Sequence, residues 1–372
     1  MKQDANWYLL KDIHQVDSPA LVIYLNRVKE NIELLKTMSG DVQRLRPHAK
    51  THKAKEAAWL LMEAGIQKFK CATIAEAEML AQCGTEDVLL AYQPVGPKVD
   101  RFLALIKTYP GTKFSCLVDD SVVAKSISEK AKALGLQIPV YLDLNIGMNR
   151  TGISPDEKAV ELYLQCTELP GLKPVGLHAY DGHLADADFE LRKERCNDAF
   201  AAVEALKNTL LEKGMGEPII VAGGSPTFPI HLQREKVECS PGTFIYWDAS
   251  YLQSLSEQAF LPAALVISRI ISLPDERTIC TDLGHKSIAA ENVLSKRVFF
   301  INAPELQPIG QSEEHLVLQA PEGHHYKVGD VLYGLPYHVC PTCALYERAL
   351  IIEEGAVKSE WKTAARDRKL IF

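Results

Sequence analysis

The chain has 372 residues, 47% hydrophobic and 24% charged, which is ordinary globular usage and excludes a disordered, collagen-like or fibrous chain. Its formal net charge of -7, with no Lys/Arg run long enough to form a basic stripe, speaks against a nucleic-acid partner. The length exceeds what one compact core usually holds, so two domains are expected.

The first ten residues lack a continuous apolar segment, and no stretch approaches the roughly 20 apolar residues that span a bilayer. No membrane partner is expected, and the cytoplasm is the expected location. Nine cysteines in so long a chain do not make a disulfide framework. Cys71, Cys116, Cys239 and Cys280 fall inside apolar runs and read as buried thiols.

In chain order, residues 8–13 come first and are expected to pair with a later sheet. Strand-like runs follow at 21–25, 42–50, 68–73, 87–92, 113–119, 139–145, 174–180, 219–223 and 237–244, alternating with segments of helical period at 28–38, 75–82, 121–134, 156–166 and 190–213. Gly65, Gly84, Gly135 and Gly214 stand where helices need a left-handed end. Ser121 and Ser154 stand at N-cap positions. The alternation predicts an α/β fold, a (β/α)8 barrel of the TIM type over 16–255, with a doubly wound open sheet as the alternative. Nine runs are one too many for eight strands, so one lies outside the barrel. After 255 the character changes to short runs at 263–273, 278–283, 296–301, 314–319, 331–335 and 349–353, separated by Pro, Gly and Asp turns. They predict a mainly β domain over 256–372, joined by 1–15.

A parallel barrel carries its chemistry at the C-terminal ends of its strands. There the sequence places Arg46-Pro-His48-Ala-Lys50-Thr51-His52-Lys53, then Thr73, then Asp143-Leu-Asn145 followed by Gly147-Met-Asn-Arg150-Thr151-Gly152. His178-Ala-Tyr180-Asp181-Gly-His183 comes next. The following run ends in Gly223-Gly224-Ser225-Pro-Thr227, and Ser240-Pro-Gly242-Thr243 offers a second turn of the same kind. Backbone N–H groups and hydroxyls in such turns can close round a phosphate, although a Gly-Gly-Ser turn alone is more often a plain connector. A lysine in a barrel mouth is desolvated, and its amine can form a Schiff base with an aldehyde. Lys50 fits that role, the alternative being a rim lysine that points into water. His338 and Cys340, in a Pro-containing turn, could meet a metal, while Cys340-Pro-Thr-Cys343 could also be a redox dithiol. His285 and His315 read as packing within the β domain, and His324 and His325 as solvated.

The Arg46-to-Lys53 motif resembles the cofactor-lysine motif of the D-serine dehydratase and D-threonine aldolase family, which shares the alanine racemase barrel. The resemblance continues through Asp17-Ser-Pro-Ala20, 147–152, 223–227, 240–243, Asp282-Leu-Gly284, Ser312-Glu-Glu-His315 and Pro336-Tyr-His338-Val-Cys340-Pro-Thr342. It implies that pyridoxal 5'-phosphate is held as a Schiff base on Lys50. It further implies that Gly224, Ser225, Thr227, Gly242 and Thr243 hold the phosphate, with Arg150 and Tyr180 near the ring. Asp143 and Asp181 stay open between functional and structural roles. His338 and Cys340 match the metal pair of the dehydratase branch, where the aldolase branch usually has an Asp at the second position. Thiolate plus imidazole suits Zn²⁺, though another divalent cation is possible.

The resemblance thus implies a homodimeric lyase acting on small D-β-hydroxy-α-amino acids. D-serine dehydration to pyruvate and ammonia comes first. D-threonine aldol cleavage, with His178 or His183 as base, and D-3-hydroxyaspartate dehydration are the alternatives. More distant are an amino-acid racemase, a non-catalytic pyridoxal-phosphate carrier and a metal-stabilised dimer without cofactor.

Overall fold

The run at 21–25 is the one that lies outside the barrel. In the computed structural model, which describes residues 6–372, β1 (Ala20–Tyr24) pairs parallel with the strand Arg348–Glu353 and antiparallel with Ala264–Ser272. Four of its five residues are buried, as a strand covered on both faces requires.

The barrel strands are β2 (Lys68–Cys71), β3 (Asp87–Leu90), β4 (Lys113–Val118), β5 (Ile138–Leu144), β6 (Leu172–Ala179), β7 (Ile219–Ala222) and β8 (Val237–Cys239). They pair in parallel and in sequential order. The eighth position is taken by residues 45–49, which bridge both edges, Leu45 to Cys239 and His48 to Lys70. The Arg46 N–H donates to the Cys239 carbonyl at 2.8 Å, and the Ala49 N–H donates to the Lys70 carbonyl at 2.8 Å. The strand expected over 42–50 is therefore broken. Val42–Arg44 forms a 3-10 turn, and Pro47 has no N–H to continue a ladder.

Inside the barrel, Leu89, Leu117, Tyr141 and Val221 form an apolar layer. Arg46 is also buried there, with Nη1 2.6 Å from Asp87 Oδ1 and Nε 2.7 Å from Glu238 Oε2. Removing the shared cation takes the buried partner from both carboxylates and leaves them only Lys68, 2.6 Å from Glu238, and Lys113, 3.5 Å from Asp87, so Arg46→Ala should cost about 3 kcal/mol. A lowered urea midpoint would show this, and an unchanged midpoint would refute it.

The expected glycine ends are observed, with φ of 90°, 84°, 67° and 80° at Gly65, Gly84, Gly135 and Gly214. The N-caps lie one and two residues from the expected serines, at Asp120 and Asp156. The Asp120 carboxylate accepts from both the Val122 and Val123 N–H groups, which one hydroxyl does less well.

The second sheet is mixed. Its further strands are β9 (Ala264–Ser272), β10 (Thr278–Thr281), β11 (Val298–Phe300), β12 (Gln307–Gln311), β13 (Leu316–Gln319), β14 (Val331–Pro336), β15 (Arg348–Glu353) and β16 (Ala356–Lys362). The order is β12-β13-β10-β9-β1-β15-β16, with β14 also on β9 and β11 on β14. Residues 8–13 form no strand. Instead Tyr8 and Leu10 pack beside Val22, Leu265, Tyr333 and Ile352. Two of the family-like motifs join this sheet together, because the Asp282 carboxylate accepts from the Ser18 and Ser268 hydroxyls and the Arg269 N–H.

The chain divides into two compact units. One comprises Leu35–Lys50, Ala57–Gly242 and Asp367–Phe372, and the other Met1–Leu34, Thr51–Glu56 and Thr243–Arg366. This differs from boundaries at 16 and 255, because β1 belongs to the mixed sheet. None of the nine cysteines, all among the described residues, is in a disulfide. Among the described residues no helix is long and apolar enough to cross a membrane.

Candidate active site

Strand ends in the barrel unit bring Lys50, Arg150 and Tyr180 together. Lys50 follows the segment that closes the barrel, Arg150 follows β5, and Tyr180 follows β6. The Lys50 Nζ lies 6.0 Å from the Tyr180 ring centroid and the Arg150 Cζ 5.0 Å from it. The two glycine turns also meet in this unit. The Gly242 N–H donates to Ser225 Oγ at 3.3 Å, and the Gly224 N–H donates to Thr227 Oγ1 at 3.3 Å. Both bonds are long enough that a charged acceptor would compete for the donors. The Ser240 hydroxyl is buried without a partner. Glycine is required at 223, where φ is +77° and a Cβ would lie 2.7 Å from His231. Backbone donors, an orphaned hydroxyl and a nearby amine fit a phosphate-bearing aldehyde such as pyridoxal phosphate.

Behind the turn, Thr227 Oγ1 donates to Asp181 Oδ1 at 2.7 Å, and His231 Nε2 lies 2.7 Å from Asp181 Oδ2. Cys196 Sγ is 3.6 Å from the same oxygen. Asp181, Cys196 and His231 converge as metal ligands might be arranged, but both carboxylate oxygens already accept hydrogen bonds. Burial also pushes the Cys196 thiol up to about 12. Burial works against the Asp181 charge, yet the His231 and Thr227 hydrogen bonds hold it below the usual carboxylate range. The group braces the glycine turn at 223–227 as a mount, which gives Asp181 its structural role. His231 carries no motif and was not identifiable from sequence. Thr227→Val removes a hydrogen bond to a buried charge and should cost about 1.5–3 kcal/mol, read as a lower melting temperature. A melting temperature equal to that of the parent would contradict the mount.

A second buried group lies on the strands themselves. Asp143 on β5 and His178 on β6 are register partners, so their side chains share a face, and His178 Nδ1 is 2.7 Å from Asp143 Oδ1. Lys70 Nζ on β2 lies 3.5 Å from His178 Nε2. Burial lowers the His178 pKa, so the ring is neutral. Burial, then the neighbouring Lys50 charge, pushes Lys70 down to about 7. Lys70 stands inside a strand, where no end-of-strand motif marks it. His183 closes over the loop after β5, where a Cβ on Gly147 would lie 2.6 Å from its Nε2.

In the mixed-sheet unit, His338 is the N-cap of a helix, Val339–Leu345, where a turn was expected. Pro341 is tolerated because the first turn needs no intrahelical N–H bond. His338 Nδ1 is 2.5 Å from Glu291 Oε1, which orients the ring so that Nε2 could serve a metal, the arrangement metal-binding histidines usually have. Burial disfavours the imidazolium, but Cys340 and Glu291 outweigh it and hold the His338 pKa up to about 9. Cys340 Sγ lies 3.1 Å from Thr51 Oγ1 and 3.6 Å from Thr243 Oγ1. Imidazole, thiol and orienting carboxylate fit a divalent cation. Burial pushes the Cys343 thiol well above its ordinary value, which disfavours a redox dithiol. His285, His315 and His325 are exposed and His324 is half-buried, so the first two do not pack within the sheet.

Residues 23–250 match the model of the alanine racemase N-terminal domain, and 263–352 that of a serine dehydratase domain. Two curated relatives span nearly the whole chain. A D-threonine aldolase from Arthrobacter sp is 28% identical, over 95% of this chain and 93% of its own. A D-threo-3-hydroxyaspartate dehydratase from Delftia sp. strain HT23 is 24% identical, over 89% and 93%. The crystal structure of D-threonine aldolase from Filomicrobium marinum superposes with a TM-score of 0.87 at 27% identity, covering 94% of this chain and 95% of that one. With the family model spanning 228 residues, a barrel closed at 45–49 and the lysine at its rim, the chain belongs to the alanine racemase N-terminal domain family.

Proposed function

We propose that this chain is a metal-assisted lyase of D-β-hydroxy-α-amino acids, with D-serine dehydration as its reaction. That the chain is a pyridoxal-phosphate-dependent lyase follows from the family and from relatives that are aldolases and dehydratases. One observation supports the finer reading. The position two after His338 is Cys340, with the imidazole oriented by Glu291, where the resemblance gives the aldolase branch an Asp.

Pyridoxal phosphate, when bound, supplies an aldehyde for amines and a conjugated ring that takes up negative charge. A divalent cation on His338 and Cys340 would supply Lewis acidity, with thiolate and imidazole favouring Zn²⁺. The chain's own residues do the rest. Gly224, Ser225 and Gly242 present donors to the phosphate, and Thr227 fixes their turn through Asp181. Arg150 and Tyr180 flank the Lys50 amine, and Lys50 Nζ takes the proton from Cα. The Cα proton and the Cβ hydroxyl leave as water. Water then replaces the nitrogen, giving pyruvate and ammonia.

A second reading, Cα–Cβ cleavage to glycine and an aldehyde, is supported by the two aldolase comparisons. The same residues serve either outcome, because the bond broken is the one held perpendicular to the conjugated plane. Product analysis of purified protein with D-serine, D-threonine and D-3-hydroxyaspartate, with and without Zn²⁺, separates them. Keto acid and ammonia are expected, and glycine alone would replace dehydration with aldol cleavage. We further propose a cytoplasmic homodimer, checked by light scattering.

A further inference from the structure

The barrel interior treats its two buried cations differently. Arg46 has carboxylates on both sides, at 2.6 and 2.7 Å. Lys70 is as deeply buried, at 2% exposure, yet among the described residues its amine meets no carboxylate within ion-pair distance. Its neighbour is the neutral side of an imidazole, His178 Nε2, at 3.5 Å. Both Lys70 Nζ, at 5.5 Å, and Lys50 Nζ, at 6.0 Å, approach the one Tyr180 ring. A lysine that served only to hold strands together would be paired, because an unpaired buried ammonium is costly.

We propose that Lys70 is the proton carrier for Lys50, with His178 and Asp143 as the support that steadies it when charged. The proposal rests on Lys50 being the base that takes the Cα proton. Once protonated there, Lys50 passes that proton to the neutral Lys70 amine, which becomes an ammonium while Lys50 returns to a free amine. The new Lys70 ammonium donates to His178 Nε2, and His178 Nδ1–H donates to the Asp143 carboxylate. The proton is handed back to Lys50 and leaves with the β-hydroxyl as water, so none is gained or lost. A Lys70 pKa of about 7 suits an exchange in both directions near neutral pH. The charged groups around Lys70 are Lys50 and Arg46 on the closing segment, Asp143 on β5, Asp181 after β6 and, through His178, Arg150.

The first test needs no cofactor. In protein labelled with ¹³C at the lysine side chains and freed of pyridoxal phosphate, one amine should titrate near pH 7. That signal should be missing in Lys70→Met, a swap that conserves volume and removes a buried charge. No lysine titrating below about pH 9 would overturn the proposal. The second test is the pH profile of kcat, whose limb rising through pH 7 should disappear in Lys70→Met, with kcat at least about 10²-fold lower and KM little changed. Lys70→Arg, which keeps the charge and cannot exchange the proton, should not restore it. Parent-like kcat and profile in Lys70→Met, or rescue by Lys70→Arg, would overturn the proposal. Should the cofactor prove not to sit on Lys50, that assignment fails first, while the cofactor-free titration still answers for Lys70.

Discussion

Lys50→Ala should leave a folded protein that has lost its visible cofactor absorbance and at least about 10³-fold of its turnover. The loss is expected to be large because the proposed function gives one amine two duties, holding the aldehyde and taking the Cα proton. Lys70 does not replace it. Lys70 sits inside β2 with its Nζ committed to His178, whereas Lys50 stands at the end of the segment that closes the barrel. Folding should be preserved because the Ala49 N–H, and not the lysine side chain, completes the bond to Lys70. Absorbance spectra and steady-state rates check this, and a variant with parent-like absorbance would place the cofactor elsewhere.

The second large effect is expected at the proposed metal pair. His338→Ala and Cys340→Ala should each empty the site of divalent cation, seen by elemental analysis, and lower kcat by about 10²-fold, about 3 kcal/mol. Glu291→Gln should do less, because the amide can still hold the imidazole while only the charge is lost. If both alanine variants bind metal and turn over like the parent, the metal lies elsewhere. If they lose metal and keep their rate, it is structural.

Most of the candidate site was legible because barrels concentrate chemistry at strand ends, and Lys50, Arg150, Tyr180, Gly224, Ser225, Thr227 and Gly242 all stand there. What was illegible depends on pairings distant in sequence. The apolar run of β1 carries no local sign that its partners are β9 and β15, so it reads as a barrel strand. Pro47 was the available sign that 42–50 could not be a regular strand. β12 and β16 are edge strands, one with Pro and Gly and the other mostly exposed, so neither shows an apolar run. Lys70 was missed although Lys68-Phe-Lys70-Cys71 alternates with period two. That alternation puts both lysines on one face, and the barrel fills that face with Lys68 on Glu238 and Lys70 on His178. Glu291 lies 47 residues from His338, and no spacing rule links them.

Thr243 was expected at the phosphate, by resemblance. Its hydroxyl also lies 3.6 Å from the Cys340 thiol. Asp143, left open by the sequence, is held below the ordinary carboxylate range by His178 and Thr151, against its burial. It is therefore ionised and able to steady a proton on the His178 and Lys70 side.

In the proposed function one lysine among the chain's many carries the cofactor. Incubating the protein with pyridoxal phosphate, reducing with borohydride and mapping the fixed label by peptide mass spectrometry tests it directly. The label should sit on Lys50 alone. A label on Lys70, on Lys53 or spread over surface lysines would contradict the account.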